Sequence, residues 1–144
     1  MRGQCLCGKI EFEIVGAFPK LYQCHCSLCR KQGGSASNTA LMVAAENFRW
    51  VNGADRISSY VKDTGFRSDF CSTCGSPVPN PLKKTSYMWV PAGSLDDSAQ
   101  LEVAAHIFVG SKATWDIIST HGMQHDTKPE LSEFIELLKS PENI

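Results

Sequence analysis

Cys24-His25-Cys26-Ser27-Leu28-Cys29 places three thiols within six residues, and this stretch decides how the rest of the chain is interpreted. The polar residues within and around it predict a surface loop rather than a buried core segment. Thiolates that converge in a polar loop are typical ligands of a soft divalent metal, most often zinc. The stretch therefore predicts a metal site.

The other four cysteines also lie in close pairs, Cys5-Leu6-Cys7 and Cys71-Ser72-Thr73-Cys74. A Cys-x-x-Cys turn followed by Gly75 lets two sulfurs approach one point, whereas Cys-x-Cys alone is a weaker signal. Seven cysteines, an odd number, behind an N-terminus without an apolar signal-peptide core argue against a disulfide framework. We therefore expect reduced thiols, bound metal and a cytoplasmic protein.

Length and charge limit the classes of partner. The 144 residues fit a single zinc-binding domain, 1–144, that is large enough to bury a core. A formal net charge of −1 offers no basic surface for nucleic acid or for an anionic membrane. No apolar run approaches the roughly 18 residues that a membrane-spanning helix needs. We therefore expect neither nucleic acid nor a membrane as a partner.

Alternation of apolar and polar residues predicts a mostly-β domain. The strand candidates are 9–15, 21–24, 37–44, 48–51, 56–61, 87–92 and 101–109. Asn52-Gly53 between two of them predicts a hairpin, and one or two helical turns are expected over 26–32, closed by Gly33-Gly34. The proline-rich segment 76–81 predicts an edge strand or an extended connector.

A C-terminal helix is predicted from a capping box formed by Thr127 and Glu130. Apolar residues follow at helical spacing and would form one face: Leu131, Phe134, Ile135 and Leu138. Ser140-Pro141 is expected to end the helix.

Seven thiolates divide naturally into a closed set of four and an open set of three. Spacing alone leaves open whether Cys71 and Cys74 join the N-terminal pair or part of the central cluster. A closed zinc site can supply roughly 10–16 kcal/mol of apparent folding free energy, against a usual total stability of about 5–15 kcal/mol. An open site of three thiolates stays negative when zinc is bound, which disfavours water activation and favours binding of a substrate thiol. We therefore expect thiol activation rather than hydrolysis.

Four motifs follow one another along the chain: Cys5-x-Cys7-Gly8, Cys24-His25-Cys26-x-x-Cys29-Arg30, Phe70-Cys71-x-x-Cys74-Gly75 and His106-Ile107-Phe108-Val109-x-Ser111-Lys112-Ala113-x-Trp115. Their order, from about Gly3 to Trp115, resembles the glutathione-dependent formaldehyde-activating enzyme family, which includes the centromere protein V relatives. Phe108 stands where relatives often have Trp, and Thr114 where many have Pro.

The resemblance implies a β-tent fold, in which small twisted antiparallel sheets surround two zinc sites. It also implies a structural zinc with four cysteine ligands, which are Cys5, Cys7, Cys71 and Cys74. It further implies a catalytic zinc with three cysteine ligands, which are Cys24, Cys26 and Cys29. The family's namesake reaction condenses glutathione with formaldehyde to S-hydroxymethylglutathione. The expected enzyme is therefore a carbon–sulfur lyase that acts on a thiol adduct of formaldehyde or another small aldehyde.

Two other interpretations of the cysteines stay open. A non-catalytic two-zinc module, structural or protein-binding, needs a fourth protein ligand at the second metal, such as His25, and leaves no pocket for a thiol. Iron in a thiolate site is the other, and a reddish colour of the purified protein would reveal it.

The remaining polar residues carry weaker predictions. His25 is expected to face solvent or to support a ligand rather than to bind metal, and His106 to be packed and hydrogen-bonded. His121 and His125 are expected to be plain surface residues. The basic residues that could pair with carboxylates of a glutathione-like ligand are Arg30, Lys31, Arg67 and Lys112. The residues expected in the core or in a pocket wall are Trp50, Trp89 and Trp115.

Overall fold

The computed structural model describes residues 1–97 and 100–139. The chain divides into two compact units: the first comprises Met1–Gly16 and Met42–Ala99, and the second comprises Ala17–Leu41 and Gln100–Ile144. The mostly-β class with a C-terminal helix is confirmed. The single zinc-binding domain over 1–144 stays a prediction.

Short strands dominate both units. Within the described residues the strands are β1 (Arg2–Gln4), β2 (Glu11–Ile14), β3 (Leu21–Cys24), β4 (Asn38–Ala44), β5 (Phe48–Asn52), β6 (Ile57–Val61), β7 (Arg67–Cys71), β8 (Asn80–Pro81), β9 (Tyr87–Pro91), β10 (Val103–Ile107) and β11 (Met123–Gln124). The helices are α1 (Ser27–Gly33) and α2 (Leu131–Leu138), and 3-10 turns cover Ala45–Asn47, Ala54–Arg56, Ala92–Ser94 and Val109–Ser111. None of the helices in the described part of the chain is both long and apolar enough to cross a membrane.

In the first unit, β2 is the centre of an antiparallel sheet with the order β1-β2-β5. Residues of β2 alternate between half-buried and buried, so that Phe12 and Ile14 face the core. The ring of Phe12 packs against Phe48 and Trp50, with centroids 5.5 and 6.2 Å away. Burying an aromatic side chain of this size contributes about 1.5–3 kcal/mol, so this apolar stripe fixes which face of β2 points inward.

The turn at Asn52-Gly53 is present, but the hairpin predicted around it is wrong. β5 pairs with β2, whereas β6 pairs antiparallel with β7, so the strands on either side of the turn lie in different sheets. A 3-10 turn over Ala54–Arg56 follows Gly53 directly. The dipeptide signals a change of direction, but strand pairing depends on distant partners that it does not specify.

In the second unit the sheet order is β11-β10-β3-β4, and β4 continues beyond this unit into the first. β10 runs parallel to both of its neighbours, β11 and β3, while β3 and β4 are antiparallel. On β3, Tyr22 meets Phe134 of α2 edge-on, with ring centroids 5.0 Å apart. The Lys20 N–H donates to the Leu138 carbonyl at 2.7 Å, which ties the end of α2 to the start of β3.

The C-terminal helix begins at Leu131, and the predicted capping box is wrong. Glu130 occupies the N-cap position without a side-chain capping bond. Thr127 lies outside the helix, where its carbonyl accepts a hydrogen bond from the Phe108 N–H at 2.7 Å. Pro129 explains the late start, because the residue before a proline is disfavoured in helical conformation.

The predicted apolar face of this helix is confirmed in part. Phe134 and Leu138 are buried, Ile135 is half-buried, and Leu131 is 42% exposed. Leu131 is in the first turn, one turn before the buried residues. The predicted stop at Ser140-Pro141 lies outside the described residues.

Candidate metal centres

The first unit gathers the four-cysteine cluster, whose sulfurs all lie within 4.8 Å of one another: Cys5, Cys7, Cys71 and Cys74. The Sγ atoms of Cys5 and Cys7 are 3.6 Å apart, and those of Cys7 and Cys71 are 3.8 Å apart. Four sulfurs at zinc–sulfur bond length around a tetrahedral ion would lie about 3.8 Å apart. Of the two groupings that spacing left open, the structure brings Cys71 and Cys74 together with the N-terminal pair.

Backbone N–H groups point at the sulfurs of this cluster. The Ile10 N–H donates to Cys5 Sγ and the Thr73 N–H to Cys71 Sγ, each at 3.4 Å. Gly75 closes the turn with a φ of +79°, and its N–H donates to the Cys71 carbonyl. Donors aimed at sulfur stabilise the thiolate form, which is the form that binds metal.

Ser76 also acts on this cluster. Its hydroxyl lies 3.3 Å from Cys74 Sγ and lowers the pKa of that thiol to about 5 by hydrogen bonding to the thiolate. The same oxygen accepts a hydrogen bond from the Leu6 N–H at 3.0 Å. One side chain thus connects the Cys-x-x-Cys turn to the Cys-x-Cys segment.

The second unit holds the three-cysteine cluster, and each sulfur of it comes from a different position in the local structure. Cys24 ends β3, Cys26 is the N-cap of α1, and Cys29 lies inside α1. The three sulfurs lie within 4.8 Å of one another, and the Cys29 N–H donates to Cys26 Sγ at 3.4 Å. Gly34, with a φ of +66°, ends the helix as predicted. A strand end followed by one capped helical turn is therefore enough to make the thiols converge.

Hydrogen bonding among the three thiols lowers the pKa of one of them and raises the pKa values of the other two. Hydrogen bonds from Cys24 and Cys29 lower the pKa of Cys26 to about 2. The hydrogen bond with the Cys26 thiolate raises the pKa of Cys24 to about 11, and the bonds to Cys24 and Cys26 raise that of Cys29. Ionisation of all three thiols therefore requires a nearby cation, and soft sulfur donors at this spacing suit a divalent metal ion.

His25 lies between two cysteines of the cluster but does not join it. Of the two predicted roles for it, facing solvent or supporting a ligand, the first is wrong because its side chain is buried. Its Nε2 lies 3.1 Å from Nδ1 of His106, and its Nδ1 lies 3.7 Å from a carboxylate oxygen of Asp116. Burial is the main cause that lowers the pKa of His25.

His106 is buried and hydrogen-bonded, as predicted. His121 is exposed, but His125 is half-buried, and its Nε2 has no hydrogen-bond partner among the described residues. The prediction for His125 is therefore wrong. Asp116 and the left-handed backbone of Phe108, with a φ of +55°, had no signal in the sequence.

The basic residues are distributed between the two units. In the second, a guanidinium nitrogen of Arg30 lies 3.4 Å from the Ser111 carbonyl, and Lys112 Nζ lies 3.1 Å from the Asp116 carbonyl. In the first, Arg67 pairs with the buried Asp69 at 2.8 Å. Arg67 thus has a structural partner within its own unit.

The tryptophans differ more than predicted. Trp50 and Trp89 are half-buried in the first unit, and Trp50 packs against its core. Trp115 in the second unit is 70% exposed, so a place in the core is wrong for it.

This chain is similar to a known protein family, and the matched region includes both cysteine clusters. The sequence profile of a family described as glutathione-dependent formaldehyde-activating enzyme matches residues 1–111, which include all seven cysteines. A protein of Halomonas elongata, whose name assigns it provisionally as a glutathione-dependent formaldehyde-activating enzyme, is 32% identical over 84 residues. That match covers 54% of this chain and 54% of the relative, so the chain spans about half the length of the relative it matches.

A solved structure is also similar. The crystal structure of a Rhodobacter sphaeroides protein superposes with a TM-score of 0.57 at 26% identity, covering 72% of this chain and 100% of that chain. The family predicted from the four motifs is confirmed, because the profile match extends over well more than half of the sequence. The chain belongs to the glutathione-dependent formaldehyde-activating enzyme family.

Proposed function

We propose that this chain is a zinc-dependent enzyme of the carbon–sulfur lyase type, which adds glutathione or a similar thiol to formaldehyde or another small aldehyde. The observation that carries the proposal is the three-cysteine cluster. In residues 1–97 and 100–139, no fourth His, Cys, Asp or Glu donor joins its three sulfurs. A tetrahedral zinc there has one position left for a ligand from solution. The four-cysteine cluster is the structural zinc site in this proposal.

The reaction forms one carbon–sulfur bond. The thiol sulfur adds to the carbonyl carbon, the π electron pair of the C=O bond moves to oxygen, and the proton lost by sulfur ends on that oxygen. No electrons are gained or lost overall, so no redox partner is needed. A zinc ion held by the three-cysteine cluster would supply the positive charge that lowers the pKa of the substrate thiol.

In this proposal, protein groups fix the positions of the three cysteine sulfurs, and basic side chains bind the part of the substrate that lies away from its thiol. Cys26 receives the Cys29 N–H, which fixes two ligands relative to each other. Arg30 follows the last ligand directly, and its Nε is buried without a hydrogen-bond partner in the described part of the chain. We propose Arg30 and Lys112 as partners for the carboxylates of a glutathione-like thiol.

The test combines metal content, thiol binding and turnover. Zinc per chain is measured together with calorimetric titration of glutathione and of S-methylglutathione, which lacks a free thiol. Turnover is measured as exchange of ¹³C-labelled formaldehyde with S-hydroxymethylglutathione by NMR. The proposal expects two zincs per chain, binding of glutathione but not of its S-methyl form, and accelerated exchange.

Variants in the loop make the test specific. Cys26→Ser is expected to lose one zinc, glutathione binding and accelerated exchange, because it removes one of three ligands. Ser27→Ala changes an exposed, non-ligating neighbour and should retain all three properties. Two zincs with no response to glutathione would contradict the enzyme and favour the non-catalytic module. Iron instead of zinc would contradict the proposed metal.

A further inference from the structure

Two buried histidines form a hydrogen-bonded chain beside the three-cysteine cluster. His25 and His106 are each 1% exposed, and their facing ring nitrogens, His25 Nε2 and His106 Nδ1, are 3.1 Å apart. The other ring nitrogen of His106, Nε2, lies 3.0 Å from the carbonyl oxygen of His121. Buried histidines with this many specific partners are held in one orientation.

The carbonyl at one end fixes the direction of the first hydrogen bond and, with a neutral His106 ring, also that of the second. A carbonyl oxygen only accepts, so Nε2 of His106 carries the hydrogen and donates. Nδ1 of a neutral His106 is then an acceptor, and His25 must donate to it through Nε2. His106 therefore connects a fixed backbone carbonyl to the ring of the residue that separates Cys24 from Cys26.

The backbone places this contact against the ligand segment. β10 and β3 run parallel with Ile107 opposite Cys24, and the His25 N–H donates to the Ile107 carbonyl at 3.0 Å. Side chains of successive strand residues point to opposite faces, so His106, which is opposite Gln23, and Cys24 lie on different faces of the sheet. His25 is thus bonded to β10 through both its backbone and its ring.

We propose that His106 is a positioning residue for the three-cysteine metal site, and that it acts by accepting the hydrogen bond from His25. With the ring held, the segment between Cys24 and Cys26 keeps the conformation in which the three sulfurs converge. This inference rests on the proposed metal at that site. It assigns His106 no contact with the substrate.

The test uses two variants and the metal itself as the probe. His106→Leu fills the space without an acceptor, whereas the Oδ1 atom of His106→Asn can accept from His25 near the position of Nδ1. Cobalt(II) replaces zinc, and its visible absorption reports the geometry of the thiolate site. Affinity is measured by competition with a chelator, with the four-cysteine site as an internal reference. His121→Asn is the control, because it leaves the accepting backbone carbonyl in place.

The expected result is a loss of about 10- to 100-fold in affinity at the three-cysteine site for His106→Leu, with an altered cobalt spectrum. His106→Asn should recover most of the metal affinity and of the wild-type cobalt spectrum. The metal affinity of the four-cysteine site should be the same in all variants. Equal affinity and identical spectra in wild type and His106→Leu would overturn the inference. Loss in His106→Asn as large as in His106→Leu would also overturn it.

One further measurement needs no variant. ¹⁵N NMR of the wild-type histidine rings should show His106 protonated at Nε2 and accepting at Nδ1, and the opposite tautomer would overturn the inference. If wild-type protein binds a single metal per chain, the proposed function fails instead. That outcome is separate from one in which both metals bind and the variants do not differ.

Discussion

The two cysteine clusters use the same donor atom but take it from very different parts of the sequence. The four-cysteine cluster joins residues far apart in sequence, with Cys7 and Cys71 separated by 64 positions. The three-cysteine cluster takes all its sulfurs from six consecutive residues. A metal in the first links distant segments of its unit, whereas a metal in the second orders a loop that β3 and α1 already position. Sequence separation of the ligands therefore agrees with the proposed structural role of the four-cysteine cluster and the proposed catalytic role of the three-cysteine cluster.

Burial separates the two clusters less sharply, because both contain buried cysteines and Cys7 of the four-cysteine cluster is exposed. Cys5 and Cys71 belong to a core cluster with Ile10 and Val78, so these two side chains pack among apolar residues of the first unit. Cys26 is half-buried and follows a strand end. The clearer difference is therefore the sequence separation of the ligands, not their burial.

The largest effect is expected from Cys71→Ser. Loss of this ligand should release one zinc and lower the melting temperature by on the order of 10 °C or more, because metal binding to a closed site is coupled to folding. Thermal denaturation with zinc analysis measures both. Ser72→Ala is a neighbouring exposed control. If the variant lost zinc but had the melting temperature of the wild type, the structural role proposed for the four-cysteine cluster would be contradicted.

Cys26→Ser should have a large effect on function and a small one on stability. The variant is expected to lose the second zinc while its melting temperature falls by only a few degrees, since the loop is held by β3 and α1. Differential scanning calorimetry of the zinc-loaded proteins provides the measurement. If the melting temperature fell as far as in Cys71→Ser, both metals would support folding, and the two clusters would not differ in this respect.

Two glycines with positive φ give a matched pair. Gly75 closes the turn of the four-cysteine cluster, and Gly34 ends α1; an added Cβ would meet no atom within 4 Å at either position. Alanine at each should cost about 1–2 kcal/mol of stability through backbone strain alone. Only Gly75→Ala should also weaken zinc binding at the four-cysteine cluster, as measured by chelator competition. Equal zinc affinity in both variants would contradict the coupling of that turn to its metal.

The smallest effect is expected from Ser76→Ala. The Ser76 hydroxyl lowers the pKa of Cys74, so its removal should raise that pKa and let protons compete with metal at higher pH. Zinc release on acidification should therefore begin a fraction of a pH unit higher than in the wild type. Acid titration with a zinc indicator measures this midpoint. A lower midpoint pH in the variant would contradict the conclusion that the Ser76 hydroxyl lowers the pKa of Cys74.

Local signals predicted the elements that carry the metal clusters, because cysteine spacing and strand alternation are properties of short segments. The bounds of β3 and the glycine that ends α1 are examples. Long-range choices were not predictable in the same way. β6 pairs with β7 instead of β5, and α2 begins after Pro129 without the predicted capping box.

The environment of His25 shows the same limit at the candidate site. Its polar neighbours in sequence left open whether it faces solvent or supports a ligand, because its partners His106 and Asp116 are more than 80 positions away. No local pattern contains that information. Spacing alone likewise allowed two groupings for Cys71, and only the resemblance to the family implied the grouping with Cys5 that the structure has.

The exposure of Trp115 has a practical optical consequence. It gives the second unit a fluorophore that a dissolved quencher such as acrylamide can reach readily, while the half-buried indoles of Trp50 and Trp89 in the first unit are less accessible. Quenching should therefore remove the red-shifted emission first. The light that remains would report on the first unit, so the unfolding of each unit can be followed separately in the unlabelled protein.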